Sequence, residues 1–186
     1  MPPPVQIAYT PLQHPVVGEV GWTGGEYSKE VLPKGWNGNN ARSLDCDILV
    51  ERNVEVVVRD GCRLYYDVYR PATSDDEPVP IIVCWSPFGK SSSGLRVLAH
   101  LPWGLGIPQD TLSGLERFEG PDPAEFVPRG YAVVNVDARG SGNSDGDVVI
   151  MGQQVSVVQV FRTSKHVSSF SRRAILTLFT LRRLVE

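Results

Sequence analysis

The sequence lacks the marks of a membrane protein and of a secreted protein. Its 186 residues contain no apolar run that approaches the roughly 18 residues needed to cross a bilayer. The first residues, Met1-Pro-Pro-Pro, have neither the basic segment nor the apolar segment of a signal peptide, and no Asn-x-Ser/Thr acceptor occurs. We therefore expect one soluble globular domain at most, located in the cytoplasm and without a membrane partner.

The sequence also has little cysteine and no excess of positive charge. Cys46, Cys62 and Cys84 cannot all pair, and their spacing matches no common zinc site or C-x-x-C motif. Eighteen basic residues against 21 acidic residues leave a net charge of −3, which does not attract a phosphate backbone. These patterns predict a reduced protein without a structural metal or a nucleic-acid partner.

Glycine and proline are absent from the last 32 residues, although 18 glycines and 15 prolines occur before them. Residues 155–186 carry six basic residues and one acidic residue, a balance of +5. The other 12 basic and 20 acidic residues give residues 1–154 a balance of −8. Because two compositions meet here, we divide the chain into a lead-in (1–44), a regular region (45–154) and a tail (155–186).

Three hypotheses account for the tail. Residues 172–184 would form a basic amphipathic helix on an acidic membrane, or a native carboxy-terminal helix of the fold. The third and leading hypothesis is a retained intron or a frameshift, because Val155-Ser156 is the dipeptide that an in-frame intron donor encodes. On that hypothesis the tail is foreign to the domain before it.

The lead-in and the start of the regular region differ in pattern. The lead-in is rich in proline, glycine and asparagine and shows no period, so it is interpreted as an irregular segment over the core, anchored by Trp22 and Trp36. Residues 48–58 and 62–69 are β-branched and aromatic runs joined by Asp60-Gly61. This predicts an antiparallel hairpin.

The rest of the regular region predicts a parallel pair of strands. Residues 80–85 and 131–136 are continuous apolar runs, typical of strands buried on both faces. A short helix is expected between them, with Pro123 near its first turn and Gly130 as its stop. A hairpin, a buried strand, a crossover and a second buried strand describe the amino-terminal half of an open α/β sheet.

Two motifs resemble catalytic or binding signatures and are interpreted otherwise. Residues 142–146 fit G-x-S-x-G around Ser144, but a nucleophile elbow needs a helix directly after the serine, and residues 147–151 are β-branched. Gly89-Lys90-Ser91 resembles a phosphate-binding loop, but Cys84 stands where that motif requires glycine, and Pro87 removes a backbone donor. Ser144 is therefore interpreted as a turn residue and Lys90 as a surface lysine, and a nucleotide-binding enzyme stays the alternative.

The most specific string follows the second buried strand. Asp137 can accept loop N–H groups, Arg139 can pair with a carboxylate, and Gly140 and Gly142 permit close turns before Ser144. We interpret this loop as structural. No catalytic grouping is evident, because the three histidines, His14, His100 and His166, are isolated from one another and from any plausible nucleophile.

Several strings, in order, resemble one family. They are Arg-Asp-Gly-Cys-Arg-Leu-Tyr-Tyr-Asp at 59–67, Ser-Pro-Phe-Gly-Lys at 86–90, Phe-Val-Pro-Arg-Gly-Tyr-Ala at 126–132 and Asp-Ala-Arg-Gly-Ser-Gly-Asn-Ser at 137–144. The family is the X-prolyl dipeptidyl-peptidase and cocaine-esterase-like group of α/β-hydrolases. The resemblance implies a serine hydrolase that cleaves acyl esters or amides of small molecules or peptides, with a Ser-His-Asp triad and no cofactor or metal.

The resemblance also assigns loops. Pro87, Phe88 and Gly89 fall on the oxyanion loop, where family members often have a tyrosine whose hydroxyl helps bind the oxyanion. Phe88 has no hydroxyl. The family's nucleophile, acid and histidine would follow residue 154, and the tail matches none of them. We therefore expect an inactive amino-terminal part of the hydrolase, with a half-domain that pairs with another chain as a further alternative.

Overall fold

The computed structural model describes residues 16–17, 24–38, 42–58, 60–86, 88–94, 97, 106–148 and 174–178. Six strands form one sheet in the order β1-β2-β3-β5-β4-β6. In chain order they are β1 (Ser28–Leu32), β2 (Ile48–Val57), β3 (Arg63–Pro71), β4 (Ile81–Ser86), β5 (Ala132–Asp137) and β6 (Ala174–Leu178). The mixed sheet confirms the predicted α/β fold class.

The first three strands are antiparallel, and the predicted hairpin between β2 and β3 is confirmed. Gly61 turns the chain with a φ of 82°, and its N–H donates to the carbonyl of Val58. A β-bulge interrupts the pairing between Glu51 and Val54. Asn53 lies in that bulge with a φ of 54°, a left-handed conformation that is uncommon outside glycine.

The predicted parallel pair is also confirmed, since β4 and β5 pair in parallel and every residue of both is buried. Between them lies α1 (Pro123–Phe126), capped by the side chain of Asp122, which accepts from the Ala124 N–H at 2.9 Å. A 3-10 turn, Val127–Arg129, follows, and it ends at Gly130 with a φ of 80°. β5 then pairs antiparallel with β3 on its other side.

Alternating side chains give the sheet two buried apolar faces. One face carries Val54, Val56, Val58, Leu64, Tyr66, Val68, Ile81, Val83, Trp85, Ala132, Val134, Val136 and Ala138. The other carries Ile48, Val50, Tyr69 and Val133, which pack with Leu32, Leu44, Leu115, Ala124 and Val127. Burial of side chains of this size is worth about 1.5–3 kcal/mol each, so these faces dominate the stability of the fold.

The lead-in is not irregular throughout, which corrects the interpretation from its composition. Residues 28–32 form β1, and its first four residues are exposed at the edge of the sheet. An edge strand in which only the last residue, Leu32, is buried has no two-residue hydrophobic period, so its pairing with β2 decides its conformation. Trp36 packs against the core, as expected, whereas Trp22 lies outside the described residues.

Both helical hypotheses for the tail are wrong over residues 174–178. Those residues form β6, which pairs with β4 in parallel. The pairing supplies partners to the backbone groups along the edge of β4, which a helix would leave unpaired. The retained-intron hypothesis stays a prediction. No helix that the structure describes is long and apolar enough to cross a membrane.

Candidate functional site

The candidate site lies where β4 and β5 end. Parallel strands place their carboxyl ends at one edge of the sheet, and ligands of open α/β sheets bind at that edge. Two loops begin there: residues 86–90, which we call the oxyanion-side loop, and residues 137–144, which we call the glycine loop. Pro87 lies outside the described residues.

Phe88 presents an apolar surface on the oxyanion-side loop. Its side chain is 47% exposed, and its ring packs edge-on against Phe118 with the centroids 4.9 Å apart. The ring has no group that donates to an oxyanion, whereas the tyrosine expected from the resemblance would have one. The loop therefore offers an aromatic wall at this position.

The backbone donors of the oxyanion-side loop are already used inside the fold. The Phe88 N–H donates to Ser86 Oγ at 3.1 Å, and the Gly89 N–H donates to the Ser86 carbonyl at 3.2 Å. The Lys90 N–H donates to Asp137 Oδ1 at 2.7 Å. These three N–H groups hold the loop in shape, so they are not aimed at a ligand in this arrangement.

Gly89 is required where the two loops meet. It has a φ of 71°, and a Cβ at this position would lie 2.7 Å from Asp137 Oδ1. Any side chain here would separate the carboxylate from the loop. Glycine thus permits the short contact that joins the oxyanion-side loop to β5.

Asp137 organises the glycine loop from the end of β5. Its buried carboxylate accepts from the Asn143 N–H at 3.0 Å as well as from Lys90. A Cβ on Gly142 would lie 2.3 Å from Asp137 Oδ2. Burial raises the pKa of the Asp137 carboxyl, although the Lys90 charge and the two N–H donors act in the opposite direction.

Arg139 and Gly140 shape the outer part of the glycine loop. Arg139 Nη2 donates to both carboxylate oxygens of Asp60, at 2.8 and 2.7 Å, and so joins this loop to the β2–β3 hairpin. The ion pair lowers the pKa of Asp60, which is exposed. A Cβ on Gly140 would lie 2.4 Å from the backbone nitrogen of Val148, so the chain passes too closely for any larger residue.

Ser144 is bonded to backbone on both sides. Its hydroxyl donates to the Asp137 carbonyl at 2.8 Å and accepts from the Tyr65 N–H at 3.0 Å. An activated nucleophile instead donates to a general base. His14, His100 and His166 lie outside the described residues. In this geometry the hydroxyl of Ser144 ties the glycine loop to β3.

Lys90 is not a surface lysine, which corrects the interpretation from the sequence. Its side chain is only 1% exposed, and Nζ lies 2.6 Å from Asn53 Oδ1 and 3.2 Å from Asp67 Oδ1. The ammonium is therefore bound within the fold instead of facing a phosphate. Sequence reasoning missed Asn53 and Asp67, and the available signal was a polar residue inside each of two apolar strand patterns.

Among the described residues, no group of three or more histidine, cysteine or acidic side chains is arranged to hold a metal ion. Cys84 is buried beside this site, and burial raises the pKa of its thiol to about 11. It therefore stays protonated near neutral pH and is a poor nucleophile.

Comparison with protein families decides the lineage. Residues 60–160 match the model of the X-Pro dipeptidyl-peptidase (S15) family, which is more than half of the chain. The chain belongs to this family. The match includes the β2–β3 hairpin turn, both loops of the candidate site and the strands that carry them.

Individual relatives of this S15 chain include an esterase and a hydrolase. The chain is 33% identical to the cocaine esterase of Rhodococcus sp. (strain MB1 Bresler) over 106 residues, which is 57% of this chain and 15% of the esterase. Two structures of a CocE/NonD family hydrolase from Staphylococcus aureus match with TM-scores of 0.53 and 0.50, at 27% and 29% identity. They cover 67% and 69% of this chain, which in each case covers 21% of the hydrolase.

These matches support an α/β-hydrolase-like fold for the chain. The chain spans about a fifth or less of the length of the relatives that it matches.

Proposed function

We propose that the chain supplies the first strands and the oxyanion-side loop of a serine hydrolase that cleaves acyl ester or amide bonds, including X-Pro peptide-like bonds. The observation that carries this proposal is the oxyanion-side loop at the carboxyl end of β4, joined to β5 through Lys90 and Asp137. Membership of the S15 family and similarity to an esterase support the two kinds of bond.

Hydrolysis of an acyl ester or amide requires a site for the oxyanion, and the carboxyl ends of β4 and β5 would form part of that site. When a serine attacks an acyl carbon, the carbonyl oxygen becomes an oxyanion that needs positioned donors. In this chain the ring of Phe88 occupies the exposed position, and the neighbouring N–H groups are used internally. The loop therefore contributes an apolar wall, and a donor from elsewhere has to bind the oxyanion.

By itself the chain is proposed to be inactive. The Ser144 hydroxyl donates to the Asp137 carbonyl and accepts from the Tyr65 N–H, so it is held by backbone groups instead of donating to a general base. A fluorophosphonate probe, which reacts with activated serines, should leave the purified chain unlabelled. Ser144→Ala is the matched control and should give the same background. Stoichiometric labelling that Ser144→Ala abolishes would make the glycine loop an active site and would overturn this proposal.

A chimera tests the positive half of the proposal. The matching segment of this chain replaces the corresponding segment of the cocaine esterase, the relative that is 33% identical over 106 residues. The chimera should hydrolyse an ester substrate slowly, and Phe88→Tyr should raise its kcat by about 100-fold to 1,000-fold, the usual effect of one oxyanion donor. Phe88→Leu is the control and should not raise it. A folded chimera that is equally slow with tyrosine at this position would contradict the assignment of the loop.

A further inference from the structure

Lys90 is bound through its ammonium group, its backbone N–H and its backbone carbonyl. Its N–H donates to Asp137 Oδ1 at 2.7 Å, and its carbonyl accepts from Arg117 Nε. Its ammonium lies 2.6 Å from Asn53 Oδ1, 3.2 Å from Asp67 Oδ1 and 4.0 Å from Asp137 Oδ2. One residue of the oxyanion-side loop is thus connected to β2, β3, β5 and the segment before α1.

The β-bulge in β2 directs Asn53 to this ammonium. Asn53 is buried in the left-handed conformation, which is uncommon outside glycine and persists only where the surroundings determine it. Its N–H donates to Asp67 Oδ1 at 2.9 Å, and its carboxamide donates to the Glu26 carbonyl at 2.8 Å. The same Oδ1 that accepts from Lys90 accepts from Asn143 at 3.0 Å. Asn53 therefore links the ammonium to the glycine loop.

The Lys90 ammonium is attracted to two buried carboxylates. Asp67 and Asp137 are both buried, and Lys90 is the described cation that lies within 4.0 Å of both. Hydrogen bonds between charged partners are stronger and shorter than those between neutral partners. A buried ammonium has to stay beside groups of opposite charge, because an unpaired buried charge is costly. The loop after β4 is consequently drawn toward β3 and β5 by its own side chain.

We propose that Lys90 is a positioning residue of the hydrolase site, whose buried ammonium, held by Asn53 and Asp67, sets the position of Phe88 and Gly89 against the glycine loop. This inference rests on the proposed function, since it assigns the role of that loop in the same site. Lys90 itself touches no substrate. It acts through the two loops that it joins.

Hydrogen exchange of the full chain, followed by mass spectrometry, tests the tether. Lys90→Met keeps the length and apolar stem of the side chain and removes the ammonium. We expect exchange in residues 86–91 and 138–144 to become at least about tenfold faster, because a charged hydrogen bond no longer opposes local opening. Exchange in β1 and the part of β2 that pairs with it should change less. Lys29→Met, at an exposed position of β1, is the matched control and should leave both loops unchanged.

A double variant separates positioning from stability. Lys90→Met leaves Asp67 as a buried carboxylate without this cation, which destabilises the whole fold. Asp67→Asn with Lys90→Met removes that charge and should restore much of the global stability, as measured by urea unfolding. We expect exchange in the two loops to stay fast in the double variant, since the tether is still missing.

Three results of these exchange experiments would overturn the proposal. Loops that regain protection in the stable double variant, or that are unaffected by Lys90→Met, would overturn the proposal. A uniform rise in exchange over all strands would also overturn it and make Lys90 a stability residue only. The measurement needs no substrate, so its failure leaves the hydrolase proposal standing. A chimera that is equally slow with Phe88→Tyr would contradict the hydrolase assignment of the loop without touching the tether.

Discussion

Two buried ion pairs, Arg70–Glu51 and Lys90–Asp67, lie at opposite ends of the strands of the sheet. Arg70, near the end of β3, is 2% exposed and donates from Nε to Glu51 Oε2 at 3.0 Å. Its Nη1 reaches Ser74 Oγ at 2.6 Å and Asp75 Oδ1 at 2.8 Å. Because β3 runs antiparallel to β5, Arg70 lies at the amino end of β5, away from the candidate site. Lys90 lies at the carboxyl end.

The difference between the two pairs lies in what they join. Arg70 and Glu51 are on neighbouring strands that backbone hydrogen bonds already hold together. Lys90 is in a loop, and its partners come from β2, β3 and β5. Of these three strands only β5 pairs with β4, the strand that precedes the loop. An ion pair between paired strands adds stability to an existing contact, whereas an ion pair from a loop decides where the loop lies.

The largest expected effect comes from breaking the pair within the ladder. Arg70→Met removes the buried guanidinium that pairs with the buried carboxylate of Glu51, so we expect a loss of about 3–5 kcal/mol in the free energy of unfolding. Urea unfolding measures it. Arg129→Met removes an exposed cation paired with Glu125 and should cost no more than about 1 kcal/mol. Equal losses in the two variants would contradict the expectation that the buried Arg70–Glu51 pair costs more to break than the exposed Arg129–Glu125 pair.

A smaller loss of stability should follow from filling the space beside Asp137, at the carboxyl end of β5. Gly142→Ala combines a positive φ with a Cβ 2.3 Å from the carboxylate, so we expect a loss above the roughly 1–2 kcal/mol that left-handed backbone alone costs. Gly35→Ala is the matched control, because Gly35 has a φ of 85° with nothing within 4 Å of its Cβ. Thermal unfolding of both variants measures the contact with Asp137 as the difference. Identical shifts in unfolding temperature for the two variants would mean that the glycine loop moves to accommodate the added Cβ at no cost.

The smallest effect concerns pH at the same carboxylate. Burial raises the pKa of folded Asp137, so the folded state holds a proton that the unfolded state has already released. Stability contributed by this group is therefore present at low pH and is lost as the pH rises from the unfolded pKa through the folded one. Compared with Asp137→Asn, the natural chain should lose free energy of unfolding as the pH rises from about 4 toward neutrality. A difference that grows in the opposite direction would mean that Lys90 outweighs burial.

Local patterns predicted much of the fold. Asp60-Gly61 between two β-branched runs predicted the hairpin, because Gly61 adopts the positive φ that the turn needs. Apolar continuity predicted β4 and β5, and Pro123 with Gly130 predicted the bounds of the short helical segment between them. β1 escaped prediction since its exposed residues carry no period, and β6 escaped because a short apolar run in a basic tail fits a helix as well as a strand.

The sequence by itself determined the turns, the buried strands and the family, because these depend on residues close together in the chain and on motifs in a fixed order. Only the tertiary structure decided the environment of Lys90. Its partners Asn53 and Asp137 are 37 and 47 residues away, and no local pattern reports that a bulge and a loop will meet. The same lysine would be solvated if the loop turned outward. Burial between two carboxylates is a property of the assembled sheet, where the cost of removing a charge from water is offset by partners from other strands.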